Sequence, residues 1–436
     1  MMKNILISGA GIAGLSLAYW LKQYGFRPTV VEKQPTLRAE GYKIDIRGVA
    51  VDVVKRMNLW QTICQHRTAI KESRFVNRSG KTISEVHPDL CGARVEGDLE
   101  IVRGKLCEIL YEHMGNVECL FGDSITKISQ DEKQTFVEFE KESPRTFDMI
   151  IGADGLHSHV RKLVWGDETQ FLNKLGLNIS FYSIPNYLNL DHVEIEYHSP
   201  QKFAIVYCPR DGLAKAGFAF VAKPNELNLR DKALQQQSLR NAFQDCSWEI
   251  PKLLEFMEDT PDFFYDCMAQ VHMPKWSKGR VTLAGDAAYA VSPVAGQGAS
   301  VALVGAYVLA GELARASGDY LVAFENYETC LREYIKENQD LAKMSVSILK
   351  GDRSSWLATK IMWLTLRIGQ LLPASWIRFW KKQGQKRTAK AANALTLKDY
   401  SSLVAHAASQ VVVDKANSLH KGVDDGRANE AHPSPL

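Results

Sequence analysis

Two short glycine-containing motifs, widely separated along the chain, contain the residue types that can hold phosphate groups. The first, residues 9–14, lies between an apolar run and a predicted helix. Gly9 permits a tight turn, Gly11 lets the backbone approach a pyrophosphate, and Gly14 allows helix and strand to pack closely. The start of the helix, which includes Ala13, offers free N–H groups and the positive end of the helix dipole. The spacing therefore predicts a dinucleotide-binding turn.

An acidic residue, Glu32, ends the second predicted strand, where a ribose-binding carboxylate is expected. The carboxylate can accept hydrogen bonds from both hydroxyls of an adenosine ribose, and it would repel a 2′-phosphate. NADP is therefore excluded at this turn, whereas NAD and FAD both fit, and the adjacent Lys33 is a further candidate contact. The plain alternative, a glycine turn that only permits packing, is disfavoured because strand, helix and acid occur together.

The second motif distinguishes between these two cofactors. An apolar strand, 281–284, leads to Asp286, and Gly296, Gln297 and Gly298 then open a long apolar helix. The Asp286 carboxylate can accept hydrogen bonds from a ribityl chain. The helix would direct its positive end at the N1–C2=O edge of a flavin, where the reduced ring carries negative charge. FAD is long enough to be held at both motifs and is the predicted cofactor.

The elements around the motifs predict an α/β protein with two domains. A strand at 4–8, a helix at 12–24 and a strand at 29–31 form a βαβ unit, which is typical of a doubly wound parallel sheet. Between 176 and 223 the pattern changes to short strands typical of an antiparallel sheet. These strands are predicted at 178–184, 193–197, 203–207 and 216–221, with a hairpin turn at Asp211-Gly212.

The chain therefore reads as a Rossmann-like FAD-binding domain with an inserted α+β substrate domain and a C-terminal helix. We assign residues 1–75, 98–170 and 268–330 to the first domain, and residues 76–97 and 171–267 to the second. Residues 331–402 are predicted to form a C-terminal helical segment, and the tail 403–436 is expected to be disordered.

Composition excludes several classes of function. The 436 residues carry a net charge of +3, which gives no general case for binding nucleic acid. The eight cysteines include no CxxC pair, and His157 and His159 lack flanking ligands, so no metal site is expected. The apolar run 5–21 fits a phosphate loop better than a signal peptide, and membrane binding is not expected. We expect a cytoplasmic protein.

Three motifs in order resemble the class A flavoprotein monooxygenases of the para-hydroxybenzoate hydroxylase type. They are residues 9–14, residues 152–161, and Gly285-Asp286 followed by residues 296–298. The resemblance implies a FAD domain, an inserted substrate domain, and NAD(P)H as a reductant without a Rossmann domain of its own. It also implies that O2 reacts at flavin C4a to give a hydroperoxide, which hydroxylates an electron-rich enol or phenol.

The resemblance also implies roles for single residues. It places Arg103 at the FAD phosphates, Asp154 in a motif used for both FAD and NAD(P)H, Arg47 at the cofactor, and Pro293 beside the flavin ring. Three positions depart from the common family pattern, namely Tyr289, Ser300 and Gly305. These departures distance the chain from the phenol hydroxylases without abolishing flavin binding.

Within this family, residues 41–48, 183–188 and 305–313 resemble the tetracycline destructases. That resemblance implies hydroxylation and inactivation of tetracycline antibiotics. It also implies a C-terminal helix that bridges the two domains, for which 356–380 is the candidate.

The substrate would lie between the flavin and the predicted antiparallel sheet. Alternation places Ser180 and Tyr182 on one face, and Lys215 could meet an anionic enolate. Other readings stay open: a flavin monooxygenase or reductase acting on another aromatic, polyketide or isoprenoid substrate, or a flavin-containing protein that sequesters a drug without turnover. The W-x-W-x-I-P signature of flavin halogenases is absent from the sequence.

Overall fold

The computed structural model describes residues 3–38, 41–77, 79–86, 97–209, 213–226, 230–350 and 385–404. The described strands are β1 (Asn4–Ser8), β2 (Arg27–Glu32), β3 (Lys43–Ile46), β4 (Glu72–Val76), β5 (Thr82–Val86), β6 (Leu99–Val102), β7 (Glu118–Phe121), β8 (Ile125–Gln130), β9 (Thr135–Phe139), β10 (Arg145–Phe147), β11 (Met149–Gly152), β12 (Leu172–Ile184), β13 (Val193–Ser199), β14 (Lys202–Tyr207), β15 (Ala214–Val221), β16 (Phe264–Val271), β17 (Ser277–Lys278) and β18 (Val281–Leu283).

The described helices alternate with these strands in the first domain and cover one face of the second. They are α1 (Ile12–Gln23), α2 (Val49–Arg56), α3 (Trp60–Gln65), α4 (Arg103–Met114), α5 (His159–Trp165), α6 (Lys232–Phe243), α7 (Ile250–Phe256), α8 (Asp286–Tyr289), α9 (Gly298–Arg315) and α10 (Tyr320–Lys350). Short 3-10 turns lie at Glu168–Gln170, Pro224–Glu226 and Pro293–Ala295. Residues 385–392 and 401–404 are also helical.

A six-stranded sheet in the order β17-β18-β11-β1-β2-β7 forms the centre of the first domain. All its neighbouring strands pair in parallel except β17 and β18. Strands covered by helices on both faces need continuous apolar sequence, and Ile5, Leu6 and Ile7 are fully buried. The predicted doubly wound sheet is therefore confirmed, with β1, α1 and β2 as its first βαβ unit.

A second sheet of seven strands, in the order β16-β12-β15-β14-β13-β4-β5, has two faces with different surroundings. One face packs against α6 and α7 in a common core that includes Tyr182, Phe218, Leu239 and Leu253. The opposite face bears Phe181, which stacks on Tyr42 of the first domain with ring centroids 4.6 Å apart. Because side chains alternate along a strand, each residue of this sheet belongs either to the helix-covered face or to the inner face.

The C-terminal region packs back onto the first domain. Asn338 of α10 donates to the carbonyl of Ala391 at 3.1 Å. Gly48 turns with φ +54°, and a Cβ there would lie 2.5 Å from the Ala392 carbonyl oxygen. The predicted bridging helix 356–380, the tail beyond 404 and the hairpin turn Asp211-Gly212 lie outside the described residues. The domain boundaries given above stay a prediction.

Among the described helices, only α9 is long and apolar enough by composition to cross a membrane. The interior of the protein buries 83% of this helix, as expected for the core helix of a folded domain. Its apolar sequence is therefore accounted for by packing between α1 and α10.

Candidate active site

The three glycines of the first motif have different roles: two are required by the turn, and one leaves open space. Gly9 has φ +105°, and a Cβ there would lie 2.6 Å from the Ala153 carbonyl oxygen. A Cβ on Gly14 would overlap the carbonyl oxygen of Gly9. Gly11 differs, because among the described residues its Cβ would meet only the Arg103 guanidinium, at 3.7 Å. Gly9 and Gly14 are therefore needed for the turn itself, whereas Gly11 leaves room beside a cation.

Glu32 is fixed at the mouth of this turn by backbone groups. One carboxylate oxygen accepts a hydrogen bond from the amide of Ala10 at 2.8 Å, and the other accepts from Gln34 at 2.9 Å. The carboxylate thus stands beside the phosphate turn with lone pairs left for ribose hydroxyls. The neighbouring Lys33 is exposed at the end of the strand.

The second motif lies directly against the first. Gly285 has φ +60°, and a Cβ there would be 2.8 Å from the Cβ of Ala13 in α1. Asp286 is accessible, yet the surrounding protein raises the pKa of its carboxyl above the usual value, while the charge of Arg103 lowers it. A group that is both accessible and enclosed lines a cleft. Because Arg103 lies near both Gly11 and Asp286, the two motifs share that cleft.

The Gly296–Gly298 turn is joined to the end of β3. Gly296 is left-handed at φ +63°, and its Cβ would lie 3.6 Å from both the Arg47 guanidinium and the Asp45 carboxylate. Arg47 is buried, pairs with Asp45 at 2.7 Å, and donates its backbone N–H to the Ser300 hydroxyl at 3.0 Å. No atom of the described residues would lie within 4 Å of a Cβ on Gly298. The N-terminus of α9 therefore faces open space beside a buried arginine.

Pro293 and Gln297 flank this turn in different environments. Pro293 is exposed and begins the 3-10 turn Pro293–Ala295. Gln297 is fully buried, and within the described chain neither atom of its amide has a hydrogen-bond partner. Gln297 thus lies inside the protein rather than on the cleft surface.

Asp154 uses its carboxylate to cap a helix. It accepts hydrogen bonds from the Ser158 hydroxyl and from the amides of His159 and Val160, the latter two at 2.8 and 3.0 Å. Carboxylates at a helix N-terminus satisfy free N–H groups and complement the helix dipole. The structure thus gives Asp154 a role in ordering the turn 154–158, and direct cofactor binding by its carboxylate stays a prediction.

Two carboxylates hold His157, one from Glu168 nearby in the chain and one from the distant Asp266. Its ring nitrogens lie 2.8 Å from Glu168 and 3.2 Å from Asp266. The bond to Asp266 raises the pKa of His157 against the effect of burial, and Glu168 adds to the increase. The pair His157–Asp266 therefore joins the first domain to strand β16 of the second.

Two of the departures from the family pattern are coupled to each other. A Cβ on Gly305 would overlap the Tyr289 hydroxyl. That hydroxyl is 2.9 Å from the hydroxyl of Tyr327, and all three residues are buried. Because Gly305 has no side chain, it leaves space for the Tyr289 ring beside the second motif. The third departure, Ser300, holds the backbone of Arg47.

The structure corrects the expectation for Ser180 and Tyr182. Tyr182 is buried against α7, and its hydroxyl donates to the Leu253 carbonyl at 2.9 Å. Ser180 is also buried and donates to the Phe264 carbonyl at 2.9 Å. Both residues belong to the helix-covered face, so they cannot line a site on the inner face. Alternation correctly pairs the two residues but does not reveal which face the helices cover.

Lys215 lies on the inner face, opposite Ser183 and beside Gly217. Its ammonium is 2.9 Å from the Asp262 carboxylate and 2.5 Å from the Ser183 hydroxyl. Although burial raises the pKa of Asp262, hydrogen bonds from Ser183, Thr260 and Lys215 lower it well below the usual range. Asp262 therefore stays ionised and forms an ion pair with the Lys215 ammonium.

Sequence reasoning missed Tyr42, whose ring joins the two domains. The ring stacks on Phe181, and the backbone carbonyl of Tyr42 accepts a hydrogen bond from the Arg103 amide at 3.0 Å. Burial raises the pKa of the Tyr42 hydroxyl, Arg103 lowers it, and Asp286 and Asp266 raise it further. Tyr42 is thus enclosed between the cofactor cleft and strand β16. Its place in the stretch 41–48 was the only sequence signal.

These observations fit a FAD molecule. The cleft offers a cation at Arg103, a carboxylate at Glu32, a carboxylate at Asp286, and open space at Gly11 and Gly298. These groups match in order the pyrophosphate, the adenosine ribose, the ribityl chain and the backbone approaches that a flavin dinucleotide requires.

Comparison with known proteins agrees with this geometry. Residues 2–322 match the model of the FAD binding domain family, and the chain belongs to this family, that of the class A flavin monooxygenases. It is a FAD-dependent monooxygenase.

Relatives and solved structures cover most of the chain. A flavin-dependent monooxygenase from an unknown prokaryotic organism is 43% identical over 338 residues, which are 77% of this chain and 88% of that protein. A flavin-dependent monooxygenase of Legionella longbeachae is 39% identical over 81% of this chain and 92% of that protein. The crystal structure of tetracycline destructase Tet(51) has a TM-score of 0.79 and 37% identity, covering 92% of this chain and all of that one.

Proposed function

We propose that this FAD-dependent monooxygenase uses NAD(P)H and O2 to hydroxylate the ionised enol or phenol of a planar polycyclic substrate, and that tetracyclines are such substrates. Bound FAD would take a hydride from NAD(P)H and activate O2, so that one oxygen atom enters the substrate and the other leaves as water. The single observation that carries the proposal is the charged Lys215 on the inner face of the seven-stranded sheet.

The inner face is suited to a flat substrate with one anionic edge. Ile205, Tyr207 and Ile70 form an apolar cluster there, with Phe181 and Phe203 packed against it. Lys215 is adjacent to this cluster, because its strand pairs with Tyr207. An enolate oxygen could accept a hydrogen bond from the third N–H of the Lys215 ammonium, since Asp262 and Ser183 accept from the other two.

The similarity to tetracycline destructase Tet(51) supports tetracycline as the substrate to test first. Tetracyclines contain acidic enols, which would reduce the need for a protein general base. Among the described carboxylates around the cleft, Glu32 and Asp286 are assigned to the cofactor. Asp154 caps a helix and Asp45 pairs with Arg47. Substrate deprotonation is therefore left to the acidity of the enol and the charge of Lys215.

The direct test begins with the absorbance spectrum of the purified protein and continues with NADPH oxidation, with and without a tetracycline. The expected result is a bound flavin, faster NADPH oxidation with the drug, and a product heavier by one oxygen atom. A protein that binds flavin but does not turn over the drug would indicate that the substrate is another enol or phenol. A drug that binds without NADPH oxidation would instead indicate sequestration.

Lys215→Met sharpens this test. Losing a charge-assisted hydrogen bond removes about 1.5–3 kcal/mol, so we expect kcat/KM to fall about 10- to 150-fold with unchanged flavin content. Lys215→Arg should retain part of the activity. Lys202→Met is the matched control, because Lys202 pairs with Asp245 on the helix-covered side of the same sheet. Equal kcat/KM for Lys215→Met and the natural protein would disprove the assignment.

A further inference from the structure

Two buried glutamines outside the motifs anchor the loop that leads to Pro293. Gln339 lies on α10 and Gln270 on β16, and both are buried. The loop, residues 290–292, connects α8 to the 3-10 turn Pro293–Ala295. Neither glutamine belongs to a motif or has a role in the cofactor cleft described above.

The contacts of the two glutamines converge on the loop carbonyls. The Gln339 amide donates to the Ala290 carbonyl at 3.2 Å and to the Val271 carbonyl at 2.9 Å. The Gln270 amide donates to the Val291 carbonyl at 3.4 Å and to the Gln339 carbonyl at 2.7 Å. The Ala290 carbonyl also accepts from the Val271 amide at 3.1 Å, so Gln339 supplies its second donor. Buried carbonyls are stabilised by their donors, and these contacts together hold the path of the loop.

The loop needs such anchoring because Ser292 is in an unfavourable backbone conformation. Ser292 has φ +80° and ψ 142°, a region that residues with a Cβ rarely adopt. Its buried hydroxyl has no hydrogen-bond partner in the described chain, so the side chain does not compensate for the strain. Neighbouring contacts must therefore hold this conformation, which directs Pro293 outward.

We propose that Gln339 and Gln270 are positioning residues that hold Pro293 and the N-terminus of α9 against the flavin. The inference rests on the proposed placement of the flavin beside Pro293 and Gly298. A shift of this loop would move the positive end of the α9 dipole relative to the flavin, and so alter the equilibrium between its oxidised and reduced forms. Gln270 also ties the loop to the sheet that carries Lys215.

The experiment compares Gln339→Met with Asn338→Leu in the FAD-loaded full-length protein. Asn338 is a matched control, because it is the adjacent buried amide and donates to two carbonyls, those of Tyr334 at 2.8 Å and Ala391 at 3.1 Å. Both substitutions remove similar hydrogen bonds, but only Gln339 contacts the loop. The readouts are thermal stability, the flavin absorbance spectrum, the flavin midpoint potential and the affinity for FAD.

We expect both variants to lose stability, but only Gln339→Met to change the flavin spectrum and potential. The shift should reach up to about tenfold in the ratio of oxidised to reduced flavin, which is about 30 mV for a two-electron couple. Gln270→Met, which removes only the Val291 contact from the loop, should shift the potential in the same direction by less. It also serves as the test variant if Gln339→Met does not fold.

Two results would overturn the proposal while leaving the proposed function intact. One is a flavin spectrum and midpoint potential that are unchanged from the natural protein in both Gln339→Met and Gln270→Met. The other is an equal shift in Asn338→Leu, which would trace the effect to general loss of stability. A natural protein that takes up no FAD would instead refute the proposed function, and this inference with it.

Discussion

Gly11 provides the sharpest test of the cofactor cleft, because the structure predicts that one substitution has little effect on folding and a large effect on binding. Gly11→Ala would place a methyl group where the Arg103 guanidinium, at 3.7 Å, is the only neighbour in the described part of the chain. The backbone at Gly11, with φ −85° and ψ −175°, is extended and accessible to alanine. We therefore expect the cofactor-free variant to fold, with stability changed by less than about 1 kcal/mol. The entropy lost by the unfolded chain favours alanine, whereas the N-cap position of Gly11 favours glycine.

FAD binding should weaken in the same variant. If the open space at Gly11 is where the pyrophosphate approaches the backbone, a methyl group there overpacks the complex by about 1–3 kcal/mol. This corresponds to a dissociation constant raised about 5- to 150-fold, since about 1.4 kcal/mol is a factor of ten. Thermal melting of the cofactor-free protein and titration with FAD, followed by flavin fluorescence, measure the two effects separately.

Gly14→Ala is the matched comparison within the same motif. Its methyl group would overlap the carbonyl oxygen of Gly9 with or without a cofactor, so this variant should fail to fold. Gly11→Ala with natural affinity for FAD would refute the placement of the pyrophosphate at this turn. A cofactor-free Gly11→Ala protein that does not fold would refute the separation of structural from binding glycines.

Two further predictions concern the second motif. The folded protein raises the pKa of the Asp286 carboxyl, so the free energy of unfolding of the natural protein falls as pH rises through that pKa. Asp286→Asn should therefore stabilise the cofactor-free protein at neutral pH, lose this advantage in acid, and weaken FAD binding. Melting curves across pH and FAD titration measure these effects, and a variant that is less stable at neutral pH would contradict the prediction. Gly305→Ala should destabilise the folded protein by about 1–3 kcal/mol, because the added methyl group overlaps the Tyr289 hydroxyl. Denaturant unfolding should show that Tyr289→Phe in the same protein relieves much of this cost. Strictly additive effects of the two substitutions would contradict the coupling.

The local elements of the fold could be predicted because each motif contains its own geometric requirement. The strand, glycine turn and helix at 4–24 follow from an apolar run, three glycines and a helical pattern, and the structure has β1 at Asn4–Ser8 and α1 at Ile12–Gln23. Strands β4, β5 and β16 of the second sheet were not predicted, but β12 to β15 were found in the same way. Their ends were short by a few residues, as at β12, which begins at Leu172 rather than 178.

The substrate side of the site could not be predicted from the same information. Period-two alternation groups Ser180 with Tyr182 and separates them from Phe181, but it is symmetric between the two faces. Only the packing of α6 and α7 decides which group is covered. Tyr42 gave no independent signal, because its importance comes from stacking on a residue far away in the chain.

The sequence by itself determined that the chain contains one turn suited to phosphates and another suited to a flavin. Glycine spacing and strand–helix order are local properties of the chain, so a sequence pattern is enough to reveal them. The tertiary structure alone decided that Gly285 lies against Ala13, that Lys215 faces inward, and that Gln339 reaches Ala290. These relations depend on burying apolar surface between elements far apart in the chain, and no local pattern encodes which distant surfaces will meet.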